Sequence, residues 1–167
     1  GKLFAHGGEI YVDGRNLRER DVETLQKVFM LPADFIFPNM SLEQFLAIYS
    51  EFYPEFRKEV LNDCLVNFEI QRDIKNLNQL SLGEKHKVAF SIALSLGTKI
   101  VLLDEAPMEW ILPARKMFRK LLMKHVREDQ IVVLSTHIVQ DIENLLTDVI
   151  VLRKDAPVYA ASLEENR

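Results

Sequence analysis

Ile100-Val-Leu-Leu-Asp-Glu105 decides how this sequence is read. Four apolar residues in a row leave no polar face for water, so the segment is expected inside a sheet covered on both faces. Two carboxylates then stand together where the strand ends. Open α/β sheets bind ligands at the carboxyl ends of their strands, so Asp104 and Glu105 are site candidates as well as turn residues. Working outward, a helix over Ser81–Ser95, closed at Gly97, precedes the Lys99–Asp104 strand. An amphipathic helix over Ala114–Arg127, a second apolar strand at Gln130–Ser135, a helix over Val139–Leu146 and a third apolar strand at Val149–Leu152 follow it. Apolar strands alternating with helices predict an α/β fold with a parallel sheet core flanked by helices.

The first half of the chain reads differently. Gly8-Glu-Ile-Tyr-Val-Asp-Gly14 is a short strand closed by an Asp-Gly turn, and Val28–Leu31 is an apolar run stopped by Pro32. A loop rich in turn residues and aromatics, Pro32-Ala-Asp-Phe-Ile-Phe-Pro-Asn-Met40, comes next. Ser41-Leu-Glu-Gln44 is a capping box and predicts a helix to about Phe52. Pro54 fits a first-turn proline ahead of a helix over Glu55–Phe68, and Asp73–Leu80 fits a short helix or turn.

Composition narrows the function. The 167 residues carry a net charge of −4, with 48% hydrophobic and 28% charged residues, which excludes a disordered chain. The length matches one domain of roughly 100–200 residues. Cys64 is the sole cysteine, so no internal disulfide forms. Runs such as Ile131–Leu134 fall far short of the roughly 20 residues that cross a bilayer. Gly1–Gly8 lacks the apolar core of a signal peptide, so the expected setting is intracellular. A mildly acidic chain with no Lys/Arg run argues against nucleic-acid binding.

Two further motifs share the phosphate chemistry that Asp104 and Glu105 suggest. Ser81-Leu-Gly-Glu84 is a capping box, and the same helix start offers N–H groups, a hydroxyl and a positive dipole to a phosphate. Ser135-Thr136-His137 ends the next strand, on the sheet edge that carries Asp104 and Glu105. An imidazole there can hydrogen-bond a terminal phosphate or hold an attacking water. His6, His86 and His125 read as solvated or packing residues.

In this order the motifs resemble those of the ATP-binding-cassette (ABC) ATPases. Leu80-Ser-Leu-Gly-Glu84 stands for the family's LSGGQ signature, Lys85–Leu96 for the helix after it, and Thr98–Pro107 for its Walker B strand. Ser135-Thr136-His137 matches the switch-histidine motif. Gly7–Gly14 looks like the family's GEI-x-x-DG turn, and Phe37-Pro-Asn-Met-Ser-Leu42 like the entry to its helical subdomain. The resemblance implies a P-loop NTPase-like core with a mostly helical subdomain inserted. Its parts would be a partial N-terminal lobe at 1–40, a helical signature subdomain at 41–80, and the signature helix with the ATPase core at 81–167. It implies ATP and Mg²⁺ as cofactors, with Glu105 and His137 catalytic and Asp104 at the metal. Ser81, Leu82, Gly83 and Glu84 would meet nucleotide held by a second nucleotide-binding subunit, and Ala33 and Asp34 fall at the Q-loop. A membrane-embedded transporter subunit would be the other partner, placing the protein on the cytoplasmic face of the membrane. ATP-driven dimer closure would then power transport.

Several positions depart from the family pattern. No GxxxxGK[ST] loop occurs in the 167 residues, and Gly1-Lys2 runs on into Leu3, so the chain is expected to be the back part of a longer cassette. Ala33 replaces the Q-loop glutamine, with Asp34 beside it, and Leu82 and Glu84 replace a glycine and a glutamine of the signature. Ile111 stands where the D-loop aspartate belongs, next to the interface candidates Met108 and Trp110. These departures raise the alternative of a degenerate cassette that binds nucleotide or regulates without efficient hydrolysis. A soluble ABC ATPase outside transport is a further alternative.

Overall fold

The structure, a computed structural model, describes residues 7–105, 112–136, 142–154 and 156–163. The chain opens on a hairpin of β1 (Tyr11–Val12) and β2 (Arg15–Asn16), turned by Asp13 and Gly14, both with positive φ (50° and 77°). Asp-Gly suits this turn because both central residues must accept left-handed backbone. A short helix, α1 (Val22–Gln26), leads into β3 (Val28–Leu31). Two longer helices follow, α2 (Leu42–Phe52) and α3 (Lys58–Asn67), and after a 3-10 turn comes α4 (Leu82–Ser95). Then β4 (Ile100–Asp104), α5 (Leu112–His125) and β5 (Ile131–Ser135) complete the central layer.

Strands β3, β4 and β5 form a parallel sheet in that order, with Leu31 opposite Leu103, Leu103 opposite Leu134, and Asp104 opposite Ser135. Their carboxyl ends therefore share one edge. One face of the sheet (Phe29, Leu31, Val101, Leu103, Val132 and Leu134) joins the core made by the helices. Phe90 of α4 and Phe118 of α5, both fully buried, meet there at 4.6 Å between ring centres. Burial of such a side chain contributes about 1.5–3 kcal/mol.

The other face corrects the expectation of a doubly covered sheet. Met30, Val133 and Ile131 remain 49%, 49% and 54% exposed, so among the described residues this face is only partly covered. The sheet is also smaller than expected. The strand near Val149–Leu152 is β6 (Asp148–Val151), and it pairs antiparallel with β7 (Tyr159–Ser162) in a separate two-stranded sheet. A short apolar run reads alike in either kind of ladder, because apolarity reports burial and not strand direction. Of the helix expected over Val139–Leu146, the described part holds a 3-10 turn at Glu143–Leu145.

The starts of α2 and α3 show local chemistry obeyed in one case and overridden in the other. Ser41 accepts from the Gln44 N–H at 3.2 Å and Gln44 Oε1 accepts from the Ser41 N–H at 3.0 Å, so the α2 capping box forms. The exception is α3, which starts at Lys58 and leaves Pro54 in the preceding turn. Arg57 is the reason. Its N–H donates to the Ser95 carbonyl, and its guanidinium donates to the Leu94 and His125 carbonyls at 2.8 and 3.1 Å. One arginine thus satisfies carbonyls at the ends of both α4 and α5, and this holds its own backbone extended. Asp63 of α3 accepts from Lys124 and pairs with His125 Nε2 at 2.7 Å, which ties α3 to the end of α5 and pulls the Asp63 carboxyl below its usual range. His125 is therefore a nearly buried structural partner, and His86 packs against the Phe35 ring; His6 lies outside the described residues. Cys64 is buried, and that burial pushes its thiol up to about 12, so it is an inert core residue.

Candidate functional site

Two places in the fold carry the predicted chemistry. The first is the corner where β4 ends. Register sets Ser135 directly opposite Asp104, and the Ser135 hydroxyl donates to Asp104 Oδ1. The same hydroxyl oxygen accepts from the Glu105 N–H at 3.1 Å, and the Ser135 carbonyl accepts from it at 3.0 Å. Glu105 itself sits in left-handed backbone with φ 51°. A residue with a Cβ loses about 1–2 kcal/mol in that conformation. Strain of this kind persists only where surrounding bonds enforce it, and it gathers at functional sites. Asp104 is partly buried while Glu105 is exposed, so the first carboxylate is anchored and the second is accessible.

The second place is the start of α4. Ser81 is the N-cap: it accepts from the Glu84 N–H at 3.3 Å, while Glu84 Oε2 accepts from both the Ser81 N–H and the Ser81 hydroxyl, at 2.9 and 2.6 Å. These bonds, the side-chain one foremost, hold the Glu84 carboxyl below its usual range. Leu82 is 58% exposed, and a Cβ added at Gly83 would meet nothing within 4 Å. The fold therefore does not require glycine at 83, and the helix start presents bare backbone to its surroundings. Among the described residues no hydrogen bond or ion pair joins this turn to the Asp104–Glu105 corner.

The remaining predicted residues are placed less fully. Ala33, partly buried, and Asp34, exposed, follow Pro32 at the end of β3, on the same sheet edge as Asp104. Beyond them the Pro32–Met40 loop, the β3 edge and α2 enclose an apolar groove of about 260 Å³, lined by residues including Met30, Phe35, Phe37, Ile48 and Tyr49. Ile36 at its rim is 88% exposed. His137, the D-loop position Ile111, Met108 and Trp110 lie outside the described residues.

With this geometry in view, comparison with known proteins is informative. Residues 1–107 match the family described as ABC transporter. The chain belongs to this ABC transporter family. It is 26% identical over 164 residues to the ABC transporter ATP-binding protein NatA of Bacillus subtilis, covering 94% of this chain and 66% of that protein. It is also 26% identical over 155 residues to the phospholipid-transporting ATPase ABCA3 of Mus musculus, covering 88% of this chain and 9% of that one. The chain thus spans just under two thirds of one relative and less than a tenth of the other. A solved structure titled "Structure of ATP binding subunit of ABC transporter" superposes with a TM-score of 0.81 at 19% identity, covering 96% of this chain and 69% of its own. That likeness carries the fold, so the α/β, P-loop NTPase-like class expected from the motifs is the class of this ABC domain.

Sequence reasoning passed over the contribution of Ser135. The signal was present in the β5 pattern: Ile131 and Val133 are followed on the same face by a hydroxyl, at the register position opposite Asp104.

Proposed function

We propose that this chain is part of the ATP-binding and ATP-hydrolysing subunit of an ABC-type transporter, which drives transport through a membrane-embedded partner. The observation that carries the reading is the Asp104–Glu105 corner, where one carboxylate is anchored by Ser135 and the next is exposed on strained backbone. Among the described residues no group of three or more His, Cys, Asp or Glu side chains forms a metal site. A single anchored carboxylate suits Mg²⁺, which is usually held by one or two carboxylates together with substrate phosphates. Asp104 would help hold Mg²⁺ there with ATP, where the ion would neutralise charge at the phosphates.

In this reading the residues divide the work. Asp104 would contribute its uncommitted oxygen to the metal shell. Glu105 would accept a proton from the attacking water as the water oxygen bonds the terminal phosphorus and the bond from that phosphorus to the bridging oxygen breaks, releasing ADP. His137 donates a hydrogen bond to that phosphate. The Ser81–Glu84 helix start meets ATP held by a second nucleotide-binding subunit, where its N–H groups and dipole favour the anion. Glu84 opposes this by charge, so Ser81 must turn from Glu84 toward the phosphate as the dimer closes. The phosphate-binding loop is absent from the 167 residues, so the reading requires it from the rest of the protein.

The apolar groove beside the Pro32–Met40 loop supports the membrane partner, because its exposed Ile36 and aromatic lining fit a helical segment of a membrane subunit. No described helix is long and apolar enough to cross a membrane, and in this reading the partner supplies a span. This placement puts the protein at the cytoplasmic face. Ala33 favours the second reading, a cassette that binds nucleotide without efficient turnover, since a methyl group ligates nothing. Steady-state ATPase assays on the full-length protein decide between the two. Hydrolysis that falls about 10²–10⁴-fold in Glu105→Gln, with ATP binding retained, is the expected result. Binding without turnover in the unsubstituted protein establishes the second reading.

A further inference from the structure

The Ser135 hydroxyl both donates and accepts at this corner. Its single proton goes to Asp104 Oδ1 and its oxygen accepts from the Glu105 N–H, so one hydroxyl links the side chain of the first acid to the backbone of the second. Among the described residues no donor meets the other oxygen, Oδ2, so the bond fixes the carboxylate while leaving one oxygen uncommitted. The neighbours of Ser135 on its sheet face, Ile131 and Val133, are apolar, and the pattern turns polar only where β5 reaches Asp104.

We infer that Ser135 is a positioning residue for phosphoryl transfer: its hydroxyl orients the Asp104 carboxylate and holds the left-handed turn from which Glu105 projects. The inference rests on the ATPase reading given above. Glu105 needs its φ of 51° to leave the strand direction, and the N–H bond to Ser135 Oγ is one of two that hold the chain there. Without the hydroxyl, the carbonyl bond to Ser135 remains, so the corner persists but both acids lose their aim. Partners that orient a metal-facing carboxylate change metal affinity or activity about 10–100-fold when removed.

The test compares Ser135→Thr with Ser135→Val in the full-length protein. The two side chains have nearly the same shape and both favour strands, so both variants are expected to keep β5, and melting curves check this; only the hydroxyl differs. Two readouts are taken: the separate kcat and KM for ATP, and Mn²⁺ binding in the presence of a non-hydrolysable ATP analogue, followed by electron paramagnetic resonance. Expected is a kcat lower by about 10–100-fold in Ser135→Val, an unchanged KM, Mn²⁺ affinity reduced in parallel, and recovery of both by Ser135→Thr. Valine and threonine variants that match each other in both readouts overturn the role of Ser135 and leave the ATPase reading standing. An unsubstituted protein that neither hydrolyses ATP nor binds the Mn²⁺–nucleotide overturns that reading, and the inference with it.

Discussion

Glu69 and Glu105 hold the same rare backbone in two regions of the molecule, with φ of 58° and 51°. At the end of α3, Glu69 belongs to a helix stop. Its N–H donates to the Val66 carbonyl and the Ile70 N–H to the Leu65 carbonyl, the paired bonds of a Schellman motif. The stop needs left-handed backbone and makes no use of the carboxylate. At the end of β4, Glu105 needs no helix stop, and its backbone is instead tied across the sheet to Ser135. The first glutamate is strained as a by-product of local folding. The second is strained at a strand end that carries a candidate site carboxylate. Backbone outliers therefore mark function only when the local fold offers no reason for them.

A third left-handed position tests the local half of this comparison hardest. Gly97 closes α4 with φ 73°, and a Cβ there would stand 2.2 Å from the Glu55 carbonyl oxygen. Glu69 tolerates a side chain because it is exposed; Gly97 does not, because another backbone passes against it. Gly97→Ala is expected to lower unfolding free energy by at least about 2 kcal/mol, read from urea titration. A loss below about 0.5 kcal/mol would mean the two helix ends are equally open.

The start of α4 gives the next largest effect. Ser81→Ala removes the N-cap acceptor and is expected to cost about 1 kcal/mol, seen as a lower melting temperature. The same bond gives the smallest effect, a pH dependence. Glu84 has its carboxyl held below the usual 4.5, so the unfolded chain binds the proton more readily. Stability from this cap is full above about pH 4.5 and is lost as pH falls through the lowered folded value. Ser81→Ala flattens that acid limb, and an unchanged limb would place the titrating group elsewhere.

What was legible in the sequence follows the reach of each interaction. The capping boxes at Ser41–Gln44 and Ser81–Glu84 close within three residues, and both form as read. The apolar runs at 100–104 and 131–135 read as neighbouring parallel strands and pair so, whereas the run at 28–31, read as part of a separate N-terminal lobe, joins the same sheet beside β4. Three features depended on distant partners and were hidden. The start of α3 is set by Arg57 reaching the ends of α4 and α5. The direction of β6 is set by its pairing with β7. The geometry of the Asp104–Glu105 corner is set by the β4–β5 register, which no local motif specifies.

Under the proposed ATPase reading, Glu105 keeps a strained backbone because its carboxylate serves hydrolysis, while Glu69 keeps one only to end a helix. The most direct test replaces each with glycine in the full-length protein and measures melting and ATP turnover on the same samples. Relief of the left-handed penalty, less the greater freedom of unfolded glycine, is expected to stabilise both variants by about 0.5–1 kcal/mol. Glu69→Gly should hydrolyse ATP at the unsubstituted rate, and Glu105→Gly should lose about 10²-fold or more. Equal turnover in the two variants would contradict the account.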